Sequence, residues 1–152
     1  MPDDLHLERD YRATPDQLWD AWTDPERLAR WLGTPAGPLL DAAGPVRMIM
    51  GDGDDQWVDV RVVTAERPRL LELNWDFPGQ SGSMLRVEFR AVDAERTRVV
   101  VDHHGLGASA TGYGAGWQAY LDGGLAAYFG EPVDADWDEL FARNLPLWRE
   151  RA

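Results

Sequence analysis

His103 is the side chain in this sequence with the most chemistry to offer. Val99, Val101 and His103 alternate with Val100, Asp102 and His104, so on a strand the His103 imidazole faces inward and His104 faces out. An imidazole in apolar surroundings can hold a polar ligand group or act as a general acid or base. The plainer expectation is a buried histidine bonded to a neighbour such as a tyrosine hydroxyl, because the spacing places no second acid or base beside it. A second set is aromatic and thioether: Trp75, Trp117, Tyr120 and Tyr128, with Met48, Met50 and Met84. Such side chains offer the broad, adaptable contact area that flat apolar ligands need, and the hydroxyls of Tyr113, Tyr120 or Tyr128 could orient a guest. Any one of them taken alone reads first as plain core; it is the set that points to a pocket.

Other chemistries are excluded or weakly supported. The chain has no cysteine, which removes disulfides, thiolate metal sites and thiol nucleophiles. All 15 basic residues are arginine, so neither Schiff-base lysine chemistry nor a P-loop lysine is available. Asp52, Asp54 and Asp55 resemble a calcium loop but lack the later bidentate glutamate, and read as a solvated turn. His6, His103 and His104 do not have zinc spacing. No Gly-x-Ser-x-Gly elbow or phosphate-binding glycine loop occurs. Nothing in the sequence implies a cofactor or a metal.

The elements that must position these residues follow from pattern. Leu5, Leu7 and Arg9 alternate with His6, Glu8 and Asp10 as a first strand. Thr14 precedes Pro15, with Gln17 three residues on: a capping box with proline at the first helical position. Asp24-Pro25-Glu26 starts a second short helix in the same way, and Gly33 is placed to stop it. Pro35 to Pro45 is rich in turn residues. Strands follow at Val46–Met50, Trp57–Thr64, Leu71–Trp75, Leu85–Phe89 and Thr97–Leu106, separated by turns at 51–55, 67–69, 79–82 and 93–95. These predict an antiparallel meander with one wet face.

The long segment Gly112–Phe129 is predicted to be helical. Tyr113, Trp117, Tyr120, Leu121, Gly124 and Tyr128 share one stripe, and Gly112, Gly116, Ala119, Gly123 and Ala126 share the next. Each interior glycine costs about 1 kcal/mol relative to alanine. The glycine stripe therefore implies a close approach of the backbone to the sheet, a void, or both if the helix is tight at one end and open at the other. On the void reading, Gly124→Leu fills a ligand space and leaves the fold intact. After Gly130 and Pro132, Trp137, Leu140 and Phe141 have helical spacing and Pro146 should break it. This tail, 131–152, is expected to pack on the main domain, 1–130, with a homodimer contact as the alternative.

The 152 residues suit one domain that buries about two-thirds of its unfolded surface. The apolar fraction is 44% with 8 tryptophans, too apolar for a disordered chain. No apolar run approaches the roughly 20 residues of a membrane span, and Met-Pro-Asp-Asp lacks a signal-peptide pattern. The net charge of −12 disfavours nucleic acid and anionic lipid as partners. The expectation is a cytoplasmic protein.

Several motifs resemble a known family. Pro15-x-x-Leu-Trp-x-Ala-Trp-Thr-Asp-Pro-Glu-x-Leu-x-x-Trp31 is similar to the N-terminal signature of the SRPBCC or START-like superfamily. Leu73-Asn-Trp75, His103-His-Gly-Leu106 and Gly116-Trp117 with Leu121 and Leu125 match the branch related to the C-terminal domain of the heat-shock-protein-90 ATPase activator. Gly44-Pro45 stands near where that branch carries a Gly-Gly pair. The resemblance spans about residues 5–130. It implies an α+β helix-grip fold: a curved antiparallel sheet of six or seven strands wrapped around a long C-terminal helix, with two short helices after strand 1 and an apolar pocket between. Members of the superfamily include lipid and hormone binders, plant allergens, polyketide cyclases and the co-chaperone domain. The expected function is binding of a small apolar, aromatic or lipid-like ligand. The alternatives are a cyclase, dehydratase or hydrolase using His103 as acid or base, and a chaperone-interacting module.

Overall fold

A computed structural model describes residues 5–51, 53, 54 and 56–151, with the side chains of Gln80, Ser81 and Arg151 outside the description. The N-terminal Met-Pro-Asp-Asp, and Asp52 and Asp55 of the calcium-like turn, lie outside the described residues. Seven antiparallel strands form one sheet in the order β1-β7-β6-β5-β4-β3-β2. They are β1 Leu5–Tyr11, β2 Thr34–Pro35, β3 Val46–Ile49, β4 Trp57–Glu66, β5 Leu70–Phe77, β6 Gln80–Ala91 and β7 Thr97–His104. The first strand closes onto the last, Leu7 pairing with Val101, which carries the chain from one edge of the meander back to the other.

The two short helices form as their caps dictate. Thr14 and Gln17 complete a reciprocal capping box ahead of α1, Pro15–Thr23. Asp24 then serves twice. Its N–H ends α1 on the Asp20 carbonyl, and its side chain accepts from the Arg27 N–H to start α2, Pro25–Trp31. Gly33 matters for a reason the sequence did not show. Its backbone is not left-handed, and a Cβ there would lie 2.7 Å from Met50 Sδ and 2.9 Å from Met48 Cγ. It lets the chain leaving α2 press against β3.

The long helix is present but not uniform. It opens with a 3-10 turn, Gly107–Ser109, and continues as α3, Ala110–Ala119, then as a π-helical segment, Tyr120–Leu125, then as α4, Ala126–Tyr128. The first strand braces the widened segment. Tyr11 Oη donates to the Leu121 carbonyl at 2.7 Å, and Arg9 Nε donates to Asp122 Oδ1 at 2.7 Å.

The tail departs from expectation. α5 spans Trp137–Arg151 and runs through Pro146. Pro146 is exposed, so the Ala142 carbonyl it leaves without a helical donor lies on the solvent side. Asp136 caps α5 by accepting from the Glu139 N–H at 2.9 Å. α5 lies against α3, with Asn144 Nδ2 donating to the Ala115 carbonyl at 3.3 Å and Trp148 Nε1 donating to Gln118 Oε1 at 2.8 Å.

The glycines of the long helix serve this second helix more than the sheet. A Cβ on Gly114 would fall 2.3 Å from the Trp148 ring, and one on Gly123 would fall 2.6 Å from Leu140 Cδ1. Gly124 closes on α2 instead: a Cβ there would meet the Trp31 carbonyl oxygen at 2.6 Å. Gly124 borders a hollow at this end of the helix, but Trp31 closes the direction its Cβ would take, which overturns the expectation that leucine would fill a void there and leave the fold intact. At the other end Gly112 faces open space and Gly116 makes only an ordinary 3.6 Å contact with Trp137. The helix is thus tight at its C-terminal end and open at its N-terminal end.

Candidate functional site

Tryptophans plug the middle of the space between sheet and long helix. Trp22 stacks on Trp117 with ring centroids 5.8 Å apart, Trp75 meets Trp117 at 5.2 Å, and Trp31 packs edge-on to Trp22 at 4.8 Å. The expected cavity is therefore displaced. A cleft of about 640 Å³ lies beyond the plug, at the open end of the helix. One wall is the end of β5, with Trp75, Phe77 and the following Pro78. A second is α3, with Tyr113, Gly116, Trp117 and Tyr120. The third is the first turn and a half of α5, with Trp137 and Phe141. Trp137 stacks on Phe141 at 5.0 Å and 14°, and Tyr120 leans on Trp137 at 5.3 Å, so the last two walls are one continuous aromatic surface.

His103 lies beneath this cleft, not in it. It is 0% exposed, and its ring centroid is 5.0 Å from that of Tyr113 and 6.1 Å from that of Trp75. Trp117 Nε1 donates to His103 Nδ1 at 3.1 Å. An indole nitrogen can only donate, so Nδ1 is the acceptor and the proton sits on Nε2. Nε2 is 2.9 Å from Ser83 Oγ, and that hydroxyl in turn donates to the Trp75 carbonyl. Every donor and acceptor of the imidazole is thereby used within the protein. Burial lowers its pKa to about 3, with the neighbouring His104 adding a smaller push in the same direction. A neutral imidazole with both nitrogens engaged has no atom free for acid or base work. The partners are a serine hydroxyl and an indole where the sequence pointed to a tyrosine hydroxyl.

The other predicted residues divide by position. Met50, Trp75, Tyr113, Trp117 and Tyr120 all border the cleft. Met48 is buried in the core beside Gly33 and does not. Met84 pairs across with Asn74 and His104 and alternates with buried Ser83 and Leu85, so it occupies the outer face of the sheet. Tyr128 lies at the opposite end of the helix, where its hydroxyl accepts from Arg27 Nη1 at 3.0 Å. It belongs to a second hollow of about 710 Å³, lined also by Gln17, Asp20 and Arg30. That hollow is polar, and its Arg27 and Asp20 are already paired, Asp20 with Arg67 at 3.0 Å.

Four lining aromatics or turn residues escaped the sequence reading: Phe77, Pro78, Trp137 and Phe141. Phe77 continues the Trp75 face by strand alternation. Trp137 and Phe141 are an i, i+4 pair visible in the sequence, but their position over α3 depends on the tail's docking.

Two donors at the floor of the cleft are unused. Among the described residues, Trp75 Nε1 and the Tyr113 hydroxyl have no hydrogen-bond partner. They are close enough for the indole to draw the Tyr113 pKa down, without a well-formed bond between them. Burial prevails and pushes that pKa up to about 12. Tyr120 is likewise pushed up to about 12 by burial. Both phenols are neutral at any ordinary pH.

Comparison with known proteins places this arrangement in context. Residues 12–130 match the family model described as activator of Hsp90 ATPase homolog 1-like protein. CalU16 from Micromonospora echinospora is 20% identical and superposes with a TM-score of 0.75, over 97% of this chain and 87% of that one. DynU16, from the dynemicin biosynthetic locus, is 28% identical with a TM-score of 0.72, over 88% of this chain and 50% of that one. An Hsp90 activator from Plasmodium falciparum is 20% identical with a TM-score of 0.56, over 70% and 75% of the two chains. No curated protein matches the sequence significantly. No helix among the described residues is long and apolar enough to cross a membrane.

Proposed function

The chain belongs to the family of activator of Hsp90 ATPase homolog 1-like proteins, with the helix-grip fold of the START-like superfamily, and from that premise we propose that it binds a small, flat, apolar ligand in the cleft between β5, α3 and α5. The observation that supports this reading is the cleft itself: about 640 Å³, within the range of small-molecule sites, with aromatic walls on three sides. Rings of that area contribute through contact and exclusion of water. The engaged state of His103 argues for binding without acid–base turnover at that residue.

The test uses N-phenyl-1-naphthylamine, a neutral flat probe whose fluorescence rises in apolar surroundings. The wild-type chain should give saturable enhancement. Gly112→Phe, which places a ring in the open space beside the cleft, should fold normally and lose most of that enhancement. Absence of saturable enhancement with the wild-type chain would contradict the reading.

A further inference from the structure

The two unused donors name the chemistry of the ligand, an inference that rests on the cleft-binding reading above. Trp75 is 2% exposed, so water does not satisfy its N–H. Buried indole and phenol groups ordinarily find partners, and an unpaired one is destabilising. Trp19 and Trp22 also carry unpaired N–H groups, but they lie in the closed core and border neither hollow. Trp75 and Tyr113 differ because both border the cleft and their unused donors are neighbours. Tyr113 is partly buried, its ring edge-on to His103 at 5.0 Å and to Phe77 at 5.9 Å. A guest that draws the Tyr113 hydroxyl toward itself would have the indole N–H beside it as a second donor.

Charge narrows the choice further. Among the described residues lining the cleft none is ionic. The nearby Asp76 and the net charge of −12 oppose an anion. A cation finds no carboxylate in the walls. What remains is a neutral acceptor, and a carbonyl oxygen has two lone pairs with which to take two donors at once. We propose that the ligand is a neutral aromatic ketone or quinone whose carbonyl oxygen accepts from both Trp75 Nε1 and the Tyr113 hydroxyl, while its rings lie against Trp117, Tyr120 and Trp137.

Fluorene and 9-fluorenone share three flat rings and differ by one carbonyl group, so they isolate this contact. Titrated into the full chain by calorimetry, 9-fluorenone should bind about tenfold tighter than fluorene or better. Tyr113→Phe and Trp75→Phe should each bring 9-fluorenone toward the fluorene value and leave fluorene within about twofold. Tyr113→Phe removes only an unpaired hydroxyl, and it decides the matter if Trp75→Phe does not fold. Equal affinity for the two probes, unchanged in Tyr113→Phe, would overturn the acceptor site and leave the cleft reading standing. Failure of both probes to bind would overturn the two together.

Discussion

Held between an indole N–H and a serine hydroxyl, His103 is fixed as the neutral Nε2–H tautomer. This has a thermodynamic consequence. The free imidazole takes up a proton near pH 6.5, and the folded one resists it down to about 3. Below 6.5 the unfolded chain thus binds more protons than the folded chain. Stability present above 6.5 is lost as pH falls, with a slope of up to about 1.4 kcal/mol per pH unit. Exposed His6 works the other way: the hydrogen bonds it donates to Glu8 and Asp102 raise its pKa, so its smaller contribution is full below 6.5 and is lost as pH rises through the raised value. Denaturant unfolding at pH 5 and pH 6.5 should show the His103 effect dominating, and His103→Gln should flatten the difference. Nitrogen NMR should find one protonated His103 nitrogen, Nε2, throughout that range. Ser83→Ala strands the imidazole N–H and should cost about 1–3 kcal/mol, measured by the same unfolding. The inward direction of His103 was readable from its alternation with Val99 and Val101. Ser83 was not, because its place diagonal to His103 depends on the β6–β7 register, in which Leu85 faces His103.

Helix boundaries and helix neighbours were unequally legible. The capping box at Thr14 and the double use of Asp24 are local hydrogen bonds between residues three or four apart, and local sequence contains them whole. The glycine stripe was visible, yet its partner was not. Whether a small residue faces sheet, void or another helix depends on where a segment far along the chain docks, as Leu140 does on Gly123 and Trp148 on Gly114. The π-helical widening at Tyr120–Leu125 is fixed by contacts from β1, so no local pattern announces it. The proline inside α5 misled for a similar reason: an exposed proline can stay in a helix when packing on its other face holds it. Two alanine substitutions separate these roles. Gly112→Ala adds a methyl group to open space and should raise stability by up to about 1 kcal/mol. Gly114→Ala drives a methyl group into the Trp148 ring and should lower stability by about 1–3 kcal/mol. Gly124→Leu should be more damaging than either, because the group it strikes is the Trp31 backbone. Thermal melts of the three variants check the order.

The fold as a whole was the most legible level, since six of the seven strands, two capped helices and a long helix follow from periodicity and turn chemistry, and the family match over residues 12–130 agrees. The ligand site was only half legible. Its sheet and α3 walls are spelled by residues on the expected faces, whereas its third wall comes from α5, beyond the matched residues. The central space expected to be hollow is filled by Trp22, Trp75 and Trp117, and the hollow lies to one side of them. Eight tryptophans spread through the molecule make this directly testable, since each indole N–H gives its own NMR signal. In a titration of the isotopically labelled chain with 9-fluorenone, the account predicts progressive shifts of the Trp75, Trp117 and Trp137 signals while Trp19, Trp22, Trp31 and Trp57 stay in place. Shifts centred on Trp31 or Trp57, or no shifts at saturating probe, would contradict it.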